Sequence, residues 1–64
     1  MDKNEIKQIM DEVVDAIADA GYNPLEQLQG YVMLGNINYI TRHNNAREKI
    51  KQLSIADVIE YISR

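Results

Sequence analysis

The 64-residue sequence contains no cysteine, tryptophan or phenylalanine, and it has one proline and one histidine. Without cysteine there is no disulfide framework and no thiolate ligand or nucleophile, so packing or a partner subunit has to stabilise the fold. The single histidine, His43, leaves any metal site dependent on carboxylates, and these show no recognisable ligand spacing. With neither a glycine-rich phosphate loop nor a nucleophile elbow, we predict a non-enzymatic protein without catalytic residues, metal or cofactor.

Long hydrophobic runs are also missing. Charged side chains interrupt the apolar positions of residues 1–21 every second or third residue, unlike the apolar region of a signal peptide or a membrane span. We therefore expect a cytoplasmic protein that does not enter a membrane. No linker, low-complexity tract or repeat divides the chain, which predicts one domain, residues 1–64. A chain of this size buries only about 60% of its unfolded surface, so self-association is expected.

The net charge of −3 hides an asymmetry between the two halves of the chain. Residues 1–26 carry seven acids and two lysines, a net charge of −5, whereas residues 27–64 carry five cations and three acids, a net charge of +2. Opposite charges of this kind attract either within one fold or across a dimer. The acidic half would repel a nucleic-acid backbone.

Apolar residues recur with helical spacing in the first part of the chain. A stripe of offsets 3, 4, 7, 8 and 11 predicts a first helix over about residues 3–20, which Gly21 ends. Asn23 as N-cap, Pro24 at the first helical position and Glu26 in a capping box predict a second helix over 24–34, stopped by Gly35. The expected buried residues are Ile6, Ile9, Met10, Val13, Val14, Ile17, Leu25, Leu28, Tyr31 and Val32.

The second part of the chain has shorter elements. Residues 35–41 are compatible with a short helical turn or an extended connector. Asn44 or Asn45 is expected to cap a third helix over about 45–52, and Ser54 to cap a last helix over about 54–63 with Asp57 as its capping-box partner. The expected buried residues are Ala46, Ile50, Leu53, Ile55, Val58, Ile59 and Ile62. The sequence thus predicts an all-α fold, a compact bundle of four main helices plus a short helical turn.

The remaining large side chains and the acids are assigned to packing and to solvent. We expect the tyrosines to bury their rings at helix contacts with each hydroxyl near water. The methionines Met10 and Met33 are expected to fill gaps in the core. The acids of the first helix are expected to form its solvated face. The tyrosines are Tyr22, Tyr31, Tyr39 and Tyr61, and the acids are Asp11, Glu12, Asp15 and Asp19.

The stretch RHNNAR, residues 42–47, is the candidate functional site. It sets Arg42, His43 and Arg47 around two asparagines at a predicted helix start. Arg47 would lie in the first turn, where a cation opposes the helix dipole at a cost of about 0.3 to 1 kcal/mol. Either an internal carboxylate of the first helix compensates this charge, or the basic residues and the free helix amides receive an external carboxylate or phosphate.

Residues 21–47 resemble the signature of the IreB/ReoM family of small regulatory phosphoproteins. The shared pattern runs from GYNP through Gln and GY to a glycine turn, an aromatic residue and a polar stretch that ends in Ala-Arg. The matching positions align in register without a gap. They are Gly21, Tyr22, Asn23, Pro24, Gln27, Gly30, Tyr31, Gly35, Tyr39, Arg42, Asn44, Asn45, Ala46 and Arg47.

The resemblance implies a homodimer without enzymatic activity that acts downstream of a PASTA-type Ser/Thr kinase. Such proteins influence cell-wall synthesis and antibiotic tolerance through Clp-protease turnover, so a protein partner in that pathway is implied. On this reading Arg42, His43 and Arg47 bind the partner, and Asn44 and Asn45 cap the helix that carries Arg47. Gly21, Asn23, Pro24, Gly35 and Ser54 are then architectural.

The family's kinase-target threonine lies in a tail ahead of the first helix, whereas the only threonine here is Thr41. Either this protein has lost regulation by phosphorylation, or Thr41 is a substitute phosphosite, or a longer tail exists. We expect that the regulation by phosphorylation has been lost. Two other functions remain open. One is a purely structural oligomerisation module, and the other is a nucleic-acid binder that uses the basic residues Arg42, His43, Arg47, Lys49 and Lys51, against which the acidic pI of about 4.9 argues.

Overall fold

A computed structural model, which describes residues 1–63, confirms the all-α fold. Four α-helices form a compact bundle: α1 spans Lys3–Asp19, α2 Pro24–Leu34, α3 Ala46–Ile50 and α4 Ile55–Ile62. Two single turns of 3-10 helix, Ile37–Tyr39 and His43–Asn45, lie between α2 and α3. The undecided segment before Thr41 is therefore a short helical turn, and residues 1–63 contain no strand.

Local signals fix most helix ends as expected. Gly21 is left-handed, with φ of 89°, and the Tyr22 N–H donates to the Ile17 carbonyl over 3.1 Å, which completes a Schellman motif. Asn23 accepts a 3.1 Å hydrogen bond from the Glu26 N–H. Each of these contacts satisfies a backbone group that a helix end leaves without a partner.

The C-terminal end of α2 and the start of α4 follow the same rule. Left-handed Gly35 ends α2, and its N–H donates to the Tyr31 carbonyl over 2.7 Å. Ser54 and Asp57 form both hydrogen bonds of the predicted capping box at the start of α4. The architectural roles assigned to these glycines and caps agree with this geometry.

The core forms where α1 packs against α3, with α2 and α4 closing over it. The apolar stripe of α1 faces inward, and Ala46 and Ile50 of α3 meet it with no exposed surface. None of the buried side chains of residues 1–63 is polar or charged. The buried residues are Met10, Val13, Ala16, Ile17, Leu28, Tyr31, Ile40, Ala46, Ile50, Leu53 and Val58.

Several expected core residues are exposed instead. Helix α2 is apolar on more than one side, and because Leu28 and Tyr31 face the core, Leu25 and Met33 face outward. Met33 has 79% of its surface exposed, so it fills no gap in the core. The prediction of burial was also wrong for Ile59, Tyr22 and Tyr39.

The third helix is shorter than predicted. It begins at Ala46 and ends at Ile50, because the left-handed backbone of Asn45 is not helical and the chain tightens into a turn after Ile50. In that turn the Leu53 N–H reaches only three residues back, to the Ile50 carbonyl, over 3.0 Å.

No helix of residues 1–63 is both long enough and apolar enough to cross a membrane.

A polar contact joins α4 to α1 beside this core. The Tyr61 hydroxyl donates to Asp11 Oδ1 over 2.7 Å, and Lys7 Nζ lies 2.7 Å from Asp11 Oδ2. The bond from Lys7 and then that from Tyr61 lower the pKa of Asp11 below its usual 3.8, because both favour the carboxylate. The stabilisation is therefore present above the unfolded-state pKa and is lost as the pH falls through the lowered folded-state pKa.

The substitution Asp11→Asn should lower the free energy of unfolding near neutral pH and lower it less at an acidic pH, because the wild-type carboxyl loses its stabilising charge as it is protonated. Urea unfolding of both proteins across this range tests the expectation. Asp15→Asn is the matched control, because Asp15 is an exposed acid of the same helix without a hydrogen bond or ion pair to residues 1–63. If Asp11→Asn lowered the free energy of unfolding equally at both pH values, the stabilising role of the Asp11 carboxylate would be contradicted.

Candidate functional site

Two asparagines shape the corner that carries the candidate site. Asn44 and Asn45 both have left-handed backbones, with φ of 50° and 61°. Asparagine adopts this conformation more readily than most L-residues do. Two such residues in succession reverse the chain and start α3 directly after the turn His43–Asn45.

The asparagines do not cap α3 with their side chains. Asn45 occupies the position before the helix but makes no capping hydrogen bond. Asn44 lies inside the 3-10 turn that precedes it. A side-chain cap needs an extended backbone at the capping residue, and both asparagines are left-handed. The predicted capping role is therefore corrected: they shape the turn through their backbone.

Arg47 is held by backbone carbonyls. Its Nε donates to the Ile40 carbonyl over 2.7 Å, and one Nη lies 3.5 Å from the Asn38 carbonyl, at the outer limit of a hydrogen bond. Arg47 is half-buried, and no carboxylate pairs with it among residues 1–63. Its charge is thus compensated by main-chain dipoles, which differs from both the internal carboxylate and the external anion considered from the sequence. The contact ties α3 to the turn Ile37–Tyr39.

A glycine and a tyrosine fix the turn that holds Arg47. The Tyr39 ring lies over Gly30 of α2, so closely that a Cβ atom on Gly30 would stand 2.7 Å from Tyr39 Cδ1. The contact is possible because glycine has no side chain. Tyr39 therefore positions the neighbouring carbonyls of Asn38 and Ile40 against α2. The sequence shows both residues but not that they touch.

His43 and Lys49 pair with acids of α1. His43 Nε2 lies 2.6 Å from Asp19 Oδ2, and Lys49 Nζ lies 3.4 Å from Glu12 Oε1. The sequence suggested that an acid of the first helix pairs with an arginine. In the structure His43 and Lys49 contact these acids, and the arginines do not. Both contacts join the acidic first half of the chain to the second half, and the Lys49–Glu12 pair satisfies part of the charge asymmetry within one molecule.

Arg42 is the cation of the corner that makes no such contact. It is exposed, and its side chain has no hydrogen bond or ion pair with any of residues 1–63. Arg42 and Arg47 border a shallow surface depression, here called the arginine groove, whose lining includes no carboxylate. The lining residues are Tyr22, Gln27, Asn38, Ile40, Thr41, Arg42 and Arg47.

Thr41 lies in the arginine groove between the two arginines and α2. Its N–H donates to Gln27 Oε1 over 2.9 Å, and its Oγ1 accepts from the His43 N–H over 3.2 Å. The Gln27 bond explains why a glutamine of α2 belongs to the site, a role that the sequence reasoning did not assign. Thr41 itself is half-buried.

The fold and this corner define a small all-α protein with a basic surface groove and no aspartate or glutamate in that groove. Residues 1–64, the whole chain, match the model of the IreB regulatory phosphoprotein family. The chain belongs to this family, which confirms the resemblance seen in residues 21–47. The family is one of regulatory phosphoproteins, so the protein has a regulatory role.

The left-handed backbone of Asn45 predicts that a glycine at this position gives a more stable protein than an alanine. Asn45→Ala should lower the free energy of unfolding by about 1 kcal/mol, whereas Asn45→Gly should leave it unchanged or raise it slightly, because only glycine adopts this conformation without a steric cost. Chemical denaturation followed by circular dichroism measures both values.

Asn4 supplies the control, because it is an exposed asparagine inside the right-handed helix α1. There the order should reverse, and alanine should be more stabilising than glycine, although Asn4 lies in the first turn and the difference is smaller than in a helix interior. Finding alanine better than glycine at both positions would contradict the left-handed turn.

Proposed function

We propose that this protein is a non-enzymatic, cytoplasmic regulator that acts by protein contact in the control of cell-wall synthesis and antibiotic tolerance. It works downstream of a PASTA-type Ser/Thr kinase, and its partner belongs to the cell-wall or Clp-protease pathway. Family membership supports the regulatory role, and the pathway follows the resemblance described for residues 21–47. The contact is made through the arginine groove.

The exposed guanidinium of Arg42 carries the proposal. A guanidinium presents a planar fork of donors that binds a carboxylate or a phosphate through two parallel hydrogen bonds. Among residues 1–63 no acid engages Arg42, and none lines the arginine groove, so the fork is available to an acidic group from outside. Arg47 contributes the second positive charge while its carbonyl contacts keep it in place. His43, which follows Arg42 in the chain, takes part through its N–H, which donates to Thr41 Oγ1 in the groove.

The alternative of nucleic-acid binding loses its support at this corner. Of the five basic residues that would form such a surface, Arg42 is the one without a contact to residues 1–63. His43 and Lys49 pair with acids of α1, Lys51 with Glu48 over 3.5 Å, and Arg47 with carbonyls. A single cation neutralises too few phosphates for useful affinity. The proposed partner is therefore a protein with an acidic group.

The proposal includes a homodimer that forms through α2. Leu25, Met33 and Leu34 of this helix are exposed, spread over about half of its circumference at 3.6 residues per turn, and Glu26 is the helix's one charged residue. In a two-fold symmetric interface the same patch serves on both subunits, so a face almost free of charge avoids like-charge contacts with its own copy. A chain this small also gains much from burying further apolar surface.

Replacing Arg42 tests the regulatory contact. In a strain that lacks the gene, the wild-type protein should restore the normal response to a cell-wall antibiotic, whereas Arg42→Gln should not. The loss of a charged hydrogen bond, about 1.5 to 3 kcal/mol, weakens partner binding by roughly tenfold or more. The minimum inhibitory concentration is the measurement, and thermal melts should show that Arg42→Gln folds normally.

Lys3→Gln is the matched control. It also removes one exposed positive charge, but Lys3 does not line the arginine groove. Equal restoration by both variants would count against the groove. A gene deletion without any change in antibiotic response would favour the purely structural module.

Sedimentation equilibrium tests the homodimer. The wild type should be dimeric, and Met33→Lys should raise the dimer dissociation constant about tenfold or more, because the interface would have to bury an unpaired charge. A lysine near the C-terminal end of α2 suits the helix dipole, so folding should not suffer. Gln8→Lys makes the same charge change on the exposed side of α1 and should leave the dimer intact. A monomeric wild type would refute this part of the proposal.

A further inference from the structure

The arginine groove contains a hydroxyl of its own. Thr41, the sole threonine of the chain, lines this groove together with Arg42 and Arg47. Its Oγ1 accepts one hydrogen bond, from the His43 N–H, and so keeps a lone pair free. A phosphoryl group added to Thr41 would begin inside a depression lined by two guanidinium groups and no carboxylate.

The other aliphatic hydroxyls lie in less favourable surroundings. Ser54 is the N-cap of α4, where the helix dipole favours an anion, but its Oγ is used by the Asp57 N–H, and the Asp57 carboxylate, which accepts from the Ser54 N–H, would repel a phosphate there. The Ser63 hydroxyl donates to the Ile59 carbonyl at the C-terminal end of α4, where the helix dipole disfavours an anion. Thr41 is the aliphatic hydroxyl whose neighbours would stabilise a phosphate.

The groove also has donors to spare. The contacts of Arg47 with carbonyls use two of its five N–H donors, and the five of Arg42 are uncommitted within residues 1–63. The His43 N–H already points at Thr41 Oγ1. A phosphate on Thr41 would therefore gain charged hydrogen bonds without breaking the contacts that hold α3.

In place of the lost switch expected from the sequence, we propose that Thr41 is a phosphorylation site whose phosphate is bound by Arg42 and Arg47 and closes the arginine groove to outside acidic groups. A Ser/Thr kinase transfers the γ-phosphoryl group of ATP. The Thr41 Oγ1–phosphorus bond forms, the bond from the γ-phosphorus to the bridging oxygen breaks, ADP leaves, and the hydroxyl proton passes to the kinase's base. The inference rests on the proposed function of the groove as the partner contact, which this modification would switch off.

Phosphorus NMR of a chemically synthesised 64-residue chain with phosphothreonine at position 41 tests the binding of the phosphate. Its second pKa should be about one unit lower in the folded chain than in concentrated urea, because nearby cations favour the dianion. Arg42→Gln should remove most of this shift, and Lys3→Gln should not. An equal pKa in the folded and urea-unfolded chains would overturn the proposal.

Two further measurements separate this inference from the proposed function. Inorganic phosphate should shift the Arg42 side-chain N–H resonance of the unmodified chain but not that of the phosphorylated one. If the unmodified chain does not respond while the pKa shift is present, the outside contact is wrong and the internal one is right. The Ser/Thr kinase domain of the same organism with ATP should modify the wild type but not Thr41→Val, and failure to modify the wild type would refute Thr41 as the site.

Discussion

The packing of α1 against α3 is the contact on which the rest of the structure depends. Helix α3 has five residues, too few to be stable alone, so its existence relies on burying Ala46 and Ile50 against the apolar stripe of α1. The small side chain of Ala46 lets the start of α3 approach α1. Because Arg47 follows Ala46 directly, this apolar contact also fixes where the arginine groove lies.

Three of the four helices could be predicted almost to the residue, because their limits are set by local chemistry. The Asn23 cap with Pro24, the Ser54 capping box and the left-handed glycines each act within a few residues of the helix end. The third helix was predicted too long, because Asn45 is left-handed and the chain tightens into a turn after Ile50. The core side of α2 was also uncertain, because apolar residues lie on more than one side and only the neighbouring helices decide between them.

The site was predictable in its residues but not in its contacts. The sequence identifies Arg42, His43 and Arg47 as a cationic cluster beside an acidic helix. It cannot show that Arg47 is held by the carbonyls of Asn38 and Ile40, because every residue has a carbonyl and only the fold brings these two to the guanidinium. Nor does it show which cations pair with α1. The structure divides this cluster into a histidine that contacts α1, an arginine anchored by carbonyls and an arginine without a contact among residues 1–63.

The contact between Gly30 and Tyr39 has a consequence for the evolution of the chain. A larger residue at position 30 collides with the aromatic ring unless position 39 becomes smaller, so neither position can drift alone without disturbing the turn next to Arg47. We therefore expect changes at the two positions to be coupled, although neither residue shows this in the sequence alone. Gly30 thus helps to hold the Arg47 side chain in position, although Arg47 lies seventeen positions further along the chain.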